Sequence, residues 1–297
     1  MNRLNYKKLF NPQEVETPVT GTGLDTEPRD EHVYIFDDEE LVLAINVALA
    51  AERPLLVYGP PGSGKSSLAP NIGRLLGLDV HSVAITSRTE ARDLLWTFDA
   101  VRRLSDAQTV GQLATYGSYC EPGVLWKSFI SSKAVKLGAK RNIGSVVLLD
   151  EIDKADPDLP DGLLVPLGSL KFEGPEGQII TPKTGPPLVI VTSNRARELS
   201  RPFLRRCVTA TLSAPSQDHL IKVAEARLGP QRSALYRRLA ELMTDDLEQG
   251  VEGPSTAEFL DAVRACIRLN IELAGQEARS LVRAILGSEN RHSVRNK

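Results

Sequence analysis

The sequence predicts an α/β protein, a five-stranded parallel sheet between layers of helix, followed by a small all-helical domain. Three observations predict it. Short apolar runs at residues 55–58, 145–149 and 188–192 have the unbroken hydrophobicity of strands buried on both faces, as in parallel sheets. Between them lie stretches of helical periodicity, the alternation expected of βαβ units. From residue 216 onward only helical periodicity remains, broken at Gly229-Pro230 and Gly253-Pro254.

The strand at 55–58 leads into Gly59-Pro60-Pro61-Gly62-Ser63-Gly64-Lys65-Ser66, and then into a helix over 66–76 that Gly77 stops. This is the G-x-x-x-x-G-K-[ST] pattern in the strand–loop–helix context it requires. Glycines let backbone N–H groups turn inward around a phosphate, at the positive end of a helix dipole. Residues 59–67, Ser67 included, are therefore the candidate nucleotide-binding set, with Lys65 reaching the β- and γ-phosphates and the Ser66 hydroxyl a magnesium ligand. Pro70 falls inside the helix and predicts a kink downstream of the phosphate-binding turn.

Composition sets outer bounds. The chain has 297 residues, with 41% hydrophobic and 25% charged, an ordinary globular balance with room for one large domain or two modest ones. A formal net charge of −2 asks for neither nucleic acid nor an anionic membrane. Cys120, Cys207 and Cys266 are far apart and form no C-x-x-C pair, which predicts reduced thiols and a cytoplasmic location. No signal-peptide pattern opens the chain, and the longest apolar stretch, 41–51, is too short to span a bilayer.

In order, residues 1–36 read as a weakly structured arm, and 37–214 as the nucleotide-binding domain. Asp37 to Glu40 open a helix whose apolar face holds Leu41, Ile45, Ala48 and Leu49; it walls a base or simply packs the core, and both readings stand. Residues 79–85 alternate as a second strand, and 86–96 read as a capped helical segment. Helices are expected around 101–108 and 124–137. The lysines and arginine of 131–141 then mark a solvated helix end, or else a nucleic-acid patch. A short helix at 161–167, a hairpin over 171–180 and a strand at 208–212 complete the domain. Residues 215–288 form the helical lid, with helices at 218–228, 233–248, 256–273 and 276–286, and 289–297 a basic tail.

The acidic pair Asp150-Glu151 follows the apolar strand directly, at the carboxyl end where such sheets bind ligands. Asp150 suits a magnesium ion and Glu151 suits activation of an attacking water. Asn194 ends the next buried strand, where an amide can orient that water. Arg201, Arg205 and Arg206 follow in a short helical run.

Taken together, the set resembles AAA+ ATPases over about residues 37–285, and most closely their MoxR branch. In that branch an insert separates the two nucleotide motifs, and a helix and hairpin follow the second. The resemblance implies ATP and Mg2+ as cofactors, Lys65 and Ser66 as the Walker A pair, Asp150 as the Walker B magnesium residue and Glu151 as catalytic glutamate. It implies Asn194 as sensor 1. Arg206, with Arg205 as its nearest competitor, matches the arginine finger that enters a neighbouring subunit's site; the plain alternative is a surface salt-bridge pair. The implied assembly is a homo-oligomeric ring, a hexamer, acting on protein clients, among them von Willebrand A-domain proteins, in a chaperone-like way. The alternatives on the same fold are an ATP-dependent scaffold with little turnover and a DNA-associated remodeller, which the balanced charge makes a minority reading; a membrane is not an expected partner. One departure is plain: residues 254–259, the place of the family's sensor 2 arginine, contain no arginine.

Overall fold

The computed structural model describes residues 6–13, 34–109, 113–137, 141–244, 253–271, 280–282 and 284–285. They divide into two compact units. One holds 6–13, 38–58 and 72–211; the other holds 34–37, 59–71 and the described residues from 212 onward. The phosphate loop groups with the helical part in this division.

The first unit is built on five parallel strands: β1 (Leu55–Tyr58), β2 (Asp79–Ala84), β3 (Ser145–Asp150), β4 (Leu188–Ser193) and β5 (Val208–Thr211), in the order β5-β1-β4-β3-β2. Burial follows that order. Central β4 is buried along its whole length and β3 up to Asp150, whereas edge strands β2 and β5 carry polar residues that alternate toward solvent. Register pairs Leu55 with Ile190, Leu188 with Val146 and Leu55 with Val208. Because every strand runs the same way, all five carboxyl ends lie along one edge of the sheet.

Helix α1 (Glu39–Ala51) begins where Asp38 accepts the N–H groups of Glu40 and Leu41, and it buries Leu41, Val42, Ile45, Ala48 and Leu49. Its buried Asn46 is satisfied by the chain before it. Asn46 Oδ1 accepts from Leu9 and Phe10 N–H at 2.6 and 2.9 Å, and Nδ2 donates to the Phe10 carbonyl at 2.9 Å. That part of the arm packs on the sheet unit; residues 14–33 lie outside the described residues.

Three expectations need correction. Residues 86–95 form turns, not a helix: Thr86 N–H bonds Thr89 Oγ1, Glu90 N–H bonds Asp93, and the carbonyls of Leu94 and Leu95 accept from Leu125 and Gly123. The local backbone bonds here, Thr89 to Thr86 and Asp93 to Glu90, close single turns and not a continuous helical ladder. Trp96–Phe98 then pairs with Cys120–Pro122 as a small antiparallel ladder. The helix expected over 124–137 stops at Phe129, and Val135–Leu137 pairs with Arg141–Ile143. Lys133 there is bound to Asp79 at 2.7 Å, so it is no helix-end charge. Nor is Pro70 at a kink. A 3₁₀ turn, Lys65–Ser67, precedes α2 (Leu68–Leu76), which puts Pro70 in the first turn of the α-helix, where a missing N–H costs nothing.

The helix expected around 101–108 is present as Ala100–Thr109, and the hairpin pairs Phe172–Glu173 with Ile179–Ile180. In the second unit, α3 (Gln217–Leu228), α4 (Ser233–Thr244) and α5 (Thr256–Leu269) pack around Leu220, Val223, Tyr236, Leu239, Met243, Phe259 and Val263. Ser216 caps α3, and Ser255 with Glu258 forms a complete capping box on α5. The basic tail, and most of the fourth lid helix, lie outside the described residues. No helix among the described residues is long and apolar enough to cross a membrane.

Candidate active site

Within the second unit, the loop 59–67 takes its shape from glycine. Gly62 and Gly64 have φ of +74° and +87°, left-handed values that side chains rarely adopt. Ser63 N–H closes onto the Pro60 carbonyl, and Ser67 N–H onto that of Gly64. Lys65 is 6% exposed, and its Nζ donates to the carbonyls of Gly59 and Pro60, each at 2.8 Å. Neighbours press on both glycines. A Cβ at Gly62 would meet Ser255 Cβ at 2.0 Å, and one at Gly64 would meet the Tyr34 ring at 3.0 Å. Thr256 N–H reaches the Gly62 carbonyl at 3.4 Å, and Tyr34 N–H is held by Asn71 Oδ1 at 3.0 Å. Residues 34–37 also bind the lid: Ile35 packs on its core, and Asp37 meets His219 at 3.1 Å and Lys222 at 3.5 Å.

Within the first unit, the carboxyl ends of β3 and β4 form one network. Thr192 Oγ1 donates to Asp150 Oδ1 at 2.5 Å and accepts Glu151 N–H at 2.8 Å. Glu151 has φ +59°, a backbone turn that swings its side chain away from the strand. Its carboxylate is then held from two sides, by Asn194 Nδ2 on Oε1 at 3.1 Å and by Lys154 Nζ on Oε2 at 2.5 Å. The hydrogen bond that Lys154 donates to the Glu151 carboxylate pushes its ammonium above its ordinary pKa. Asp153, only 4% exposed, accepts the N–H groups of Asn194 and Ala196 on Oδ2 at 3.1 and 2.9 Å.

The network thus brings together Asp150, Glu151 and Asn194 as the sequence predicts, and adds Thr192, Asp153 and Lys154. Asp153 was signalled by the third acid of Asp150-Glu151-Ile152-Asp153; Thr192 required the strand register. Arg205 and Arg206 lie apart from this network. They end the helix Arg201–Arg206, whose terminal carbonyls are bound by the Arg53 guanidinium: Nε to Arg206 at 2.9 Å, and Nη2 to Arg205 and Cys207. Both side chains are exposed, and neither makes an ion pair among the described residues. Arg206 lies along Gly168, where an added Cβ would stand 3.3 Å from its Nε.

These residues suit a nucleotide with magnesium. Left-handed glycines and an ammonium fit polyphosphate, and the Ser66 hydroxyl and Asp150 carboxylate are the hard oxygen donors that Mg2+ takes. Among the described residues no group of three or more His, Cys, Asp or Glu could hold a metal. A magnesium ion carried by a nucleotide needs only one or two carboxylates.

A parallel sheet with a glycine loop after β1 and acids after β3 defines the P-loop ATPase class. The model of the AAA domain, dynein-related subfamily, matches residues 54–207, and the chain belongs to that family. Members of the family generally hydrolyse ATP. The chain is 31% identical over 116 residues to midasin of Giardia intestinalis, covering 39% of this chain and 2% of midasin. Over 183 residues it is 28% identical to the chaperone protein ClpB of Lactiplantibacillus plantarum, covering 60% of this chain and 18% of ClpB. It therefore spans under a fifth of the length of these curated relatives. Among solved structures, the Thermotoga maritima RuvB Holliday junction branch migration motor matches at 14% identity, over 85% of this chain and 68% of that one, with a TM-score of 0.46.

Proposed function

We propose that this chain is a MoxR-like AAA+ ATPase that binds ATP with Mg2+, hydrolyses it in a ring-shaped homo-oligomer, hexameric by resemblance, and uses the cycle to remodel protein partners. The observation that carries this reading is the Asp150–Thr192–Glu151–Asn194 network, a carboxylate oriented by an amide at the end of a buried strand. Lys65 and the backbone of residues 59–67 would bind the phosphates, and Ser66 and Asp150 would be the residues that hold the metal. The metal, when bound, neutralises charge on the phosphate oxygens. Glu151 takes a proton from water as that water attacks the γ-phosphorus and the bond to the bridging oxygen breaks, ADP leaving with that oxygen, and Asn194 orients both the base and the water. Arg206, exposed and unpaired with any acid among the described residues, suits delivery to a neighbouring subunit, where it would stabilise transition-state charge; Arg205 is its alternate. Such a device makes turnover depend on assembly. Clients, von Willebrand A-domain proteins among them, and a cytoplasmic location belong to the same reading.

Purified protein is expected to release phosphate from ATP in a magnesium-dependent manner, with activity rising with protein concentration as subunits associate. Glu151→Gln should bind ATP and barely turn it over; full activity in that variant would remove Glu151 as the base. A second reading, an ATP-dependent scaffold with little turnover, is favoured by the first turn of α5, which holds no arginine and whose Ser255 and Glu258 are committed to capping. Single-turnover kinetics with and without a partner separate the two.

A further inference from the structure

One buried ionisable group of the sheet unit takes no part in hydrolysis as written. Asp153 sits on the short 3₁₀ turn Ile152–Lys154 that follows Glu151, and it is only 4% exposed. No cation pairs with it among the described residues. Arg197, beyond the end of β4, spends its Nη1 on the Ala155 carbonyl at 2.8 Å. A carboxylate withdrawn from water without a cation is costly, and an apolar side chain of like size would spare that cost. Its presence calls for a task that an apolar side chain cannot do.

The bonds of Asp153 show the task. Its Oδ2 accepts the N–H groups of Asn194 and Ala196, at 3.1 and 2.9 Å, and so spans the turn just beyond β4. That turn is strained: Arg195 at its apex has φ +60°, left-handed backbone that a residue other than glycine rarely adopts. Such a conformation persists only where its surroundings over-determine it. Asp153 supplies two of the bonds that do so, and Ser193 Oγ, accepting Arg195 N–H at 3.0 Å, a third. The first residue of the turn is Asn194, whose Nδ2 donates to Glu151 Oε1 at 3.1 Å. The circuit therefore closes. The chain runs from Glu151 to Asp153, Asp153 holds the Asn194 backbone, and the Asn194 side chain returns to Glu151. All of it lies within the sheet unit.

Resting on the ATPase reading above, we propose that Asp153 is a positioning residue for hydrolysis, fixing the backbone of Asn194 so that its amide is aimed at the Glu151 carboxylate, and acting on turnover only through Asn194. A base must meet its water at hydrogen-bond distance, and the group that orients the base is held to the same tolerance. A misplacement of about 1 Å costs about 10²-fold in rate.

The test is a double-mutant cycle in Mg-ATP hydrolysis by the full chain: parent, Asp153→Ala, Asn194→Ala and the double variant. Asp153→Ala should lower kcat about 10²-fold, the effect of a misplaced group, with KM for ATP nearly unchanged. The double variant should be no slower than Asn194→Ala alone, because Asp153 then has no amide left to position. Asp153→Asn, which keeps an acceptor at the same place, should recover most of the turnover. Asp153→Ser, one bond too short to span both N–H groups, runs the same cycle if the alanine variant fails to fold. A merely structural carboxylate would lower Tm and leave kcat of the folded enzyme unchanged, and that outcome overturns the inference. So do losses that multiply in the double variant, or an Asn194→Ala enzyme as fast as the parent. Absence of phosphate release from the parent overturns it together with the ATPase reading.

Discussion

The phosphate loop and the acidic edge of the sheet hold their functional groups by opposite means. In the loop, conformation is set by backbone: two left-handed glycines, carbonyls of Gly59 and Pro60 gathered around the Lys65 ammonium, and close packing by Tyr34 and Ser255. At the acidic edge it is set by side chains, with Thr192 bridging two strands and Asn194 and Lys154 fixing one carboxylate. A loop that must wrap around phosphate needs N–H groups facing inward, and only glycine gives them without steric cost. A base needs one side chain aimed at one water, which requires neighbours with complementary donors. Substitution should therefore act through sterics in the first region and through lost hydrogen bonds in the second.

The largest expected effect is on chemistry at the acidic edge. Glu151→Gln keeps shape and hydrogen-bonding capacity but not basicity, so steady-state phosphate release should fall about 10²–10⁴-fold, the usual contribution of a general base. Thermal stability should hardly change. A fall in stability that matched the fall in rate would mean the residue holds the edge together rather than acting on water.

Next comes the loop. Gly62→Ala places a methyl 2.0 Å from Ser255 Cβ and forces alanine to φ +74°, so either the loop or the start of α5 must move. The backbone strain alone is about 1–3 kcal/mol. Nucleotide affinity should drop with stability, and Ser255→Gly should recover part of the loss by removing the clash. No recovery would show that strain, not contact, dominates.

Much of both regions is legible in the sequence, for a physical reason. Residues 59–66 and the strand-plus-acid pattern at 145–151 are local signals, carried by contiguous residues whose chemistry is constrained. All five strands stand within a residue of their expected positions, because the three buried ones need unbroken apolar runs and the two edge strands alternate polar with apolar residues. What local patterns could not reveal depends on distant partners. Residues 86–95 carry helix-compatible residues, yet their carbonyls serve Gly123 and Leu125. Lys133 resembles a helix-end charge until Asp79 is seen beside it. Thr192 is an ordinary strand residue until the register sets it between Asp150 and Glu151.

Thr192 therefore makes a finer probe of the acidic edge. Thr192→Val keeps the shape but leaves the Glu151 N–H without its acceptor and removes one donor from Asp150. Leaving a part-buried N–H unpaired costs about 1–3 kcal/mol, measurable by urea unfolding. Turnover should fall with it, because Glu151 loses its backbone anchor, and Thr192→Ser should restore both. Loss of turnover in the serine variant would place the role in the methyl group's packing, not in the hydroxyl.

The last comparison sets the two units side by side through their buried thiols. Cys207 lies in the sheet unit and Cys266 in the helical unit, and both are unpaired. Burial pushes the Cys207 thiol up to about 12, against a modest opposing pull from Arg53, and burial also raises that of Cys266. At pH 8 both are protonated in the folded state, so alkylation must proceed through opening. The sign for stability follows. Between pH 9 and about 12 the unfolded chain releases the Cys207 proton and the folded chain keeps it, so stability falls by about 1.4 kcal/mol per pH unit across that window. Cys207→Ala should flatten that decline. In iodoacetamide labelling at pH 8 with rising urea, each thiol should react as its own unit opens, Cys207 and Cys266 at different urea concentrations. Simultaneous labelling would mean that the two units open as one.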